Sequence, residues 1–329
     1  MAKATKFLLI AIVALLLLVP FGSVSAAPQI RLTIAVHRPS AFFAVGNGLA
    51  PLISRNIPGV EATAQTTGDA VETLRLIGTR RADLAITGTE AWNAFRGDGA
   101  FKDNPIPLRA LTPLFNLFSQ LVTIEGTGIN TLADLRGKRV SITSTPGSPS
   151  DALFLRILTT AGIDHERDIR KERLGRAPVE ALALSVDALR DKKIDAFFWF
   201  GNLPTAEVLD LATTPGIRIK LIPLDSVVPA FQREFGNLYF KAAIQKEFYP
   251  GMTADVATVG VAVLLSAHQD FNADLAYQIT KLIYEKRAEL AQAQREAAYI
   301  TLIGVAGRSS IPFHPGAIRY FRERGVEGF

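Results

Sequence analysis

Apolar and polar positions along the chain alternate between two periods. Residues 30–36 (IRLTIAV) are a β-branched apolar run that predicts a strand. Residues 41–56 read as a helix, 60–65 as extended chain, 74–81 as the end of a helix and 82–87 as a strand. Strands are predicted at 121–125 and 139–143, with a short helix at 132–136 between them. Helices follow at 148–161 and 179–192, a strand at 195–200 (DAFFWF), a helix at 204–213 and extended chain at 217–224. Strands alternating with helices of about 10–15 residues indicate α/β architecture with mainly parallel sheet.

The helix starts carry their own chemistry. Ser148 is placed to cap a helix, Pro149 suits its first position, and Asp151 completes a capping box. Thr131 with Asp134 repeats that logic, and Asp69 with Glu72 offers a third box after Thr66-Thr67-Gly68. There is also an internal echo. Arg80-Arg81-Ala82-Asp83-Leu84-Ala85 parallels Lys192-Lys193-Ile194-Asp195-Ala196-Phe197: a helix end, a basic pair, then an Asp leading an apolar strand. The separation is far beyond a solenoid repeat, so two lobes built on one plan are expected.

The first residues are read differently. Lys3 and Lys6 precede an apolar run at 7–19, Pro20 and Gly22 break it, and Val24-Ser25-Ala26-Ala27 supplies small residues for cleavage. This is the layout of a secretory signal peptide over 1–26, and the run is too short for a spanning helix. The run at 256–267 is also too short to span. A periplasmic location follows as the expectation. With 48% hydrophobic and 20% charged residues, the chain has the make-up of a folded globular protein. Absence of Cys excludes thiolate metal sites, disulfides and thiol catalysis. The net charge of +5 includes the two leader lysines and is too small to point to nucleic acid.

Catalytic motifs are missing from the sequence. His37, His165, His268 and His314 lie far apart, and neither a nucleophile elbow nor a phosphate loop occurs. An enzyme is not expected, and no cofactor is called for. What stands out are two polar turns at helix starts, Thr66-Thr67-Gly68 and 144–150, each following a predicted strand. Free N–H groups at a helix start attract anions, and open α/β sheets bind ligands beyond their strand ends. Together the two turns predict a cleft that closes over a small organic anion.

Several segments resemble the solute-binding proteins of TRAP transporters, in the TAXI branch. Thr67-Gly68-Asp69-Ala70-Val71-Glu72-Thr73-Leu74 is similar to T-G-x-S-x-E-N-L, and Pro146-Gly147-Ser148-Pro149-Ser150-Asp151 to P-G-S-G-T-E. Ile194-Asp195-Ala196-Phe197-Phe198 with Leu203-Pro204-Thr205 resembles I-D-A-F-F…G-L-P-T, and Pro312-Phe313-His314-Pro315-Gly316-Ala317 resembles P-L-H-P-G-A. Residues 132–140 match a stretch common to extracytoplasmic binding proteins. The resemblance implies a two-lobed periplasmic-binding-protein-like fold (type II). Lobe one would be 27–119 plus 227–329, and lobe two 120–226. It also implies a monomer that hands a small carboxylate to TRAP-type membrane subunits. The rival reading is a sensory module presenting its closed state to a membrane sensor kinase.

The resemblance breaks at the first turn, where the family's G-G-V-Y-Y-P-x-G corresponds to 37–46. The glycines and tyrosine hydroxyls are lost there, while Arg38 and two Phe rings are gained. The expected ligand contacts are Arg38, Ser40, Phe42, Phe43, Thr67, Gly68 and Glu90 from lobe one. Lobe two would add Ser148, Ser150, Asp151, Trp199 and Asn202. With Arg38 as the fork, the ligand class expected is a monocarboxylate with an apolar body.

Overall fold

The computed structural model describes residues 30–37, 41–143, 145–293 and 295–329. The expected leader, 1–26, and the candidate contacts Arg38 and Ser40 lie outside the described residues. The chain opens with β1 (Ile30–His37), α1 (Ala41–Asn56), β2 (Val60–Thr67), α2 (Ala70–Gly78), β3 (Leu84–Thr87) and α3 (Glu90–Arg96). Then follow β4 (Leu108–Ile124), β5 (Arg139–Ile142), α4 (Pro149–Thr160), β6 (Arg170–Glu172), α5 (Pro178–Arg190), β7 (Ala196–Gly201) and α6 (Ala206–Thr213). Next come β8 (Ile219–Leu221), α7 (Val228–Phe235), β9 (Phe240–Ile244) and β10 (Val256–His268). Three helices close the chain: α8 (Ala273–Glu285), α9 (Arg287–Ala293) and α10 (Pro315–Glu323).

One mixed sheet runs through the described residues in the order β2-β1-β3-β10-β4-β7-β5-β6, with β8 added on β4 and β9 on β10. β1, β2 and β3 are mutually parallel, as are β5, β6 and β7, whereas β4 and β10 run antiparallel to their neighbours. This is an α/β fold of the two-lobed binding-protein kind. β4 joins the halves: Leu108 to Phe118 pair with β10, and Phe118 to Ile124 pair with β7 and β8.

Each half has apolar packing on both faces of its sheet. On β4, Ala110 and Leu111 belong to different cores of the first half, and Leu121 and Val122 to different cores of the second. That split is the period of two by which successive strand side chains face opposite ways. The second half extends further along the chain than the expected boundary at 227. Val228, Phe231, Leu238 and Tyr239 pack with Leu121 and Phe198, while Ile244 and Tyr249 pack with Val122 and Phe197. The apolar side of α7 covers the second sheet, so the return to the first half is made within β10. There Val259 and Val261 lie in a second-half core, and Val263 and Leu265 in a first-half one.

Several local expectations are met. Asp69 caps α2 and Ser148 caps α4, each accepting an N–H three residues on, and Thr131 and Asp134 form a reciprocal box. The internal echo is structural as well: Arg80 and Lys192 both adopt left-handed backbone, with φ of 56° and 59°. The two long strands are where the sequence reading fell short. Only 121–125 of β4 was expected, and 256–267 was weighed only as a membrane span.

Candidate ligand cleft

The ends of β1, β2 and β3 present the first group of expected contacts. Phe42, in the first turn of α1, is 7% exposed and packs edge-on to His37 at 4.9 Å and to Phe115 of β4 at 5.8 Å. It is therefore a core residue, and half-buried Phe43 packs against the same core. Thr67 is buried, with its hydroxyl 2.5 Å from that of Thr73 and within reach of the Val36 and Asp69 carbonyls. The Gly68 N–H donates to Glu72 Oε2 at 2.6 Å, and the Glu72 N–H donates to Asp69 Oδ1 at 2.7 Å.

This arrangement changes what the turn can do. Its donor is already engaged by a carboxylate of the same helix, so an incoming anion would have to displace a like charge.

Glu90 begins α3 and is half-buried, its Oε2 lying 3.1 Å from where a Cβ on Gly88 would stand. Burial lowers the His37 pKa, and the charges of Glu90 and Asp69 oppose that shift. Glu90 also acts across the halves. The Tyr239 hydroxyl is pushed up to about 12, chiefly by burial, with Arg156 opposing and Glu90 adding to the effect. Trp92, two residues further along α3, packs against the second-half core.

The second half repeats the self-capped design. Ser148 Oγ accepts the Asp151 N–H at 3.3 Å. Asp151 is 4% exposed; its Oδ2 accepts the Gly147 N–H at 2.8 Å, and its Oδ1 accepts Nη2 of Arg173 at 2.6 Å. Ser150 is half-buried one position before it. As in the first half, a carboxylate of the protein occupies the anion-seeking donors, and here Arg173 compensates its charge.

Trp199 and Asn202 lie at the end of β7. Trp199 pairs with Gln120 of β4, and its Nε1 would stand 2.5 Å from a Cβ on Gly201, so only glycine fits there. The Asn202 carbonyl accepts the Thr205 hydroxyl at 3.1 Å. Beneath them is a buried network. Gln120 Nε2 donates to Thr205 Oγ1 at 2.9 Å, the Tyr249 hydroxyl donates to Gln120 Oε1 at 2.6 Å, and the Thr205 N–H donates to that hydroxyl at 2.9 Å.

Beyond this strand end is a cavity of about 260 Å³ between the halves. Phe115, Asn116 and Phe118 of β4 form one side; Gln245, Phe248 and Arg308 are among the residues that complete it. None of the described sequence-derived contacts lines it, although Phe42 touches Phe115 and Asn202 adjoins the lining residue Leu203. Sequence reasoning missed it because Gln245 lies just past the short strand β9 and Arg308 ends a single 3₁₀ turn, segments too short to show periodicity. Among the described residues no three His, Asp or Glu side chains converge as a metal site.

Solved structures share this architecture. A putative sulfonate ABC transporter periplasmic sulfonate-binding protein, SsuA from Methylobacillus flagellatus KT, superposes with a TM-score of 0.52. It is 14% identical, with 92% of this chain and 97% of that chain covered. The periplasmic aliphatic sulphonate binding protein SsuA from Escherichia coli gives a TM-score of 0.45 at 16% identity, covering 92% and 94%. A putative L-cystine ABC transporter from Listeria monocytogenes gives 0.41 at 15% identity, covering 83% and 98%. These likenesses are of fold. The descriptions that carry a transporter class name ABC systems. The model of one family matches residues 38–325, and the chain belongs to the NMT1-like family.

Proposed function

We propose that the chain is the extracytoplasmic solute-binding component of an ABC-type importer. It captures a small organic anion between its two lobes and releases it to membrane subunits. The observation that carries this reading is the pair of strands β4 and β10, which run from the cores of one half into those of the other. Two such strands allow the halves to change their mutual angle while each core stays packed. A ligand held between them biases the closed arrangement by its differential affinity, and no chemistry on the ligand is needed. The leader at 1–26 and its cleavage near Ala26 belong to this reading, because such a protein works outside the cytoplasmic membrane.

The test uses the mature chain, 27–329, with small carboxylates and sulfonates. A true ligand at a hundred times its dissociation constant adds about 2.7 kcal/mol of stability. It also reduces the radius of gyration in solution scattering as the lobes close. Stabilisation without compaction, or turnover of the bound molecule, contradicts the reading. Mass spectrometry of exported material should begin at residue 27 or 28.

A further inference from the structure

We propose that the ligand's carboxylate is held by Arg308 in the cavity beside β4, and that the ligand is a monocarboxylate with a compact apolar body. The proposal rests on the solute-binding reading and names the anchor and ligand class within it.

Three observations support it. First, the strand-end turns expected to bind the anion are closed to it. The Gly68 N–H is engaged by Glu72, the Gly147 N–H by Asp151, and Glu90 adds a further negative charge beside His37. An anion placed at the first turn meets like charges at close range, and one placed at the second finds its donor taken by the Arg173-paired Asp151. Second, Arg308 is a half-buried cation that makes no ion pair or hydrogen bond with any described residue. Its Cζ lies 6.0 Å from the Phe240 ring centroid. A planar guanidinium fork matches a carboxylate through two parallel N–H···O bonds. Asn116 and Gln245 offer amide donors in the same cavity.

Third, the remaining walls select against a polar body. Phe115, Phe118 and Phe248 supply aromatic faces and no partner for a second charge. The volume, about 260 Å³, is the space of about nine water molecules at ~30 Å³ each, so the ligand has about ten non-hydrogen atoms. The cavity draws on both halves: Phe115 and Ile300 pack with the first core, Phe118 and Leu203 with the second. Occupation therefore reports directly on the angle between the lobes.

The experiment is titration calorimetry on the mature chain with hexanoate, benzoate, glutarate, hexanesulfonate and hexylammonium. Scattering on each bound state follows lobe closure. Hexanoate or benzoate is expected to bind at least tenfold tighter than glutarate and hexylammonium. Arg308→Gln should weaken that binding ten- to a hundred-fold, with Arg308→Lys between the two, and with melting temperatures of the free proteins unchanged. Phe118→Trp, which fills the cavity, should abolish binding. Affinity undiminished in Arg308→Gln but lost in Arg38→Gln overturns the anchor while leaving a binding protein intact. Preference for hexylammonium or glutarate overturns the ligand class, and preference for hexanesulfonate replaces the carboxylate with another oxyanion. Binding of none of the five overturns the proposal outright. Binding without compaction would count against the solute-binding reading itself.

Discussion

Asp83 and Asp195 make the same hydrogen bond in the two halves of the molecule. Each Oδ2 accepts a backbone N–H from the neighbouring strand, of Thr33 in one case and of Arg139 in the other, both at 2.7 Å. Each returns its own N–H to the carbonyl of that same residue, at 3.0 and 2.8 Å. Asp195 has one addition, since Arg139 also brings Nε and Nη2 to its carboxylate at 3.1 and 2.8 Å. The Arg139 contact holds the Asp195 carboxyl below the usual carboxylate range.

Asp83→Ala should therefore cost about 1 kcal/mol of stability, and Asp195→Ala about 1–3 kcal/mol because charged partners are lost with it. Urea unfolding of both variants measures the difference. Equal losses would assign the whole effect to the shared backbone hydrogen bond.

Ser148→Ala removes the side-chain cap of α4 and should lower stability by about 1 kcal/mol. Ligand affinity should stay within twofold, because the donors of this turn serve Asp151. A large loss of affinity at unchanged stability would return the turn to the binding site.

Tyr249→Phe deletes one hydroxyl that serves two buried partners, Gln120 and the Thr205 N–H. Tyr249 is fully buried, so no water replaces that oxygen readily, and the expected loss is about 1–3 kcal/mol. Chemical denaturation reads it. A neutral outcome would mean that Gln120 finds another partner.

Acid should weaken the fold before its carboxylates titrate. Burial lowers the pKa values of His37 and His314 below the ordinary value, and His314 is only 1% exposed. Below about pH 6.5, and above those lowered native values, the unfolded chain holds more protons than the folded one. Stability therefore falls with decreasing pH, by at most about 1.4 kcal/mol per pH unit for each such histidine. Nδ1 of His314 accepts the Gly316 N–H as the cap of α10, a role that asparagine can fill. His314→Asn should flatten the dependence between pH 5 and 6.5, as followed by thermal melts across that range.

The parts legible in the sequence were those with local causes. Helix caps at Asp69, Thr131 and Ser148, and the strand of DAFFWF, follow from a few adjacent residues. β4 and β10 were hidden because their burial is set by partners far away in the chain. Along β4 the pattern is nearly continuous burial, and along β10 the core changes without any change of composition. The capping boxes were read, Glu72 and Asp151 included, but not that these carboxylates take the Gly68 and Gly147 N–H groups that the same reading offered to a ligand. Buried Asp151 is held as well by Arg173, a partner outside the motif, whereas exposed Glu72 is held by the local turn. The cavity at Arg308 is assembled by four separate stretches of chain, so no spacing could announce it.

The place of β10 between β3 and β4 has a bearing on how the protein comes to exist. A chain emerging from its N-terminus first makes β1 to β4 long before the strand that must lie among them. Until residues 256–268 are free, β3 and β4 have no common neighbour, and the first sheet stays open. Contacts so distant in sequence form slowly. A partly made chain is thus kept from locking its first half, which suits the export proposed above, since an exported polypeptide is threaded through a membrane before it folds.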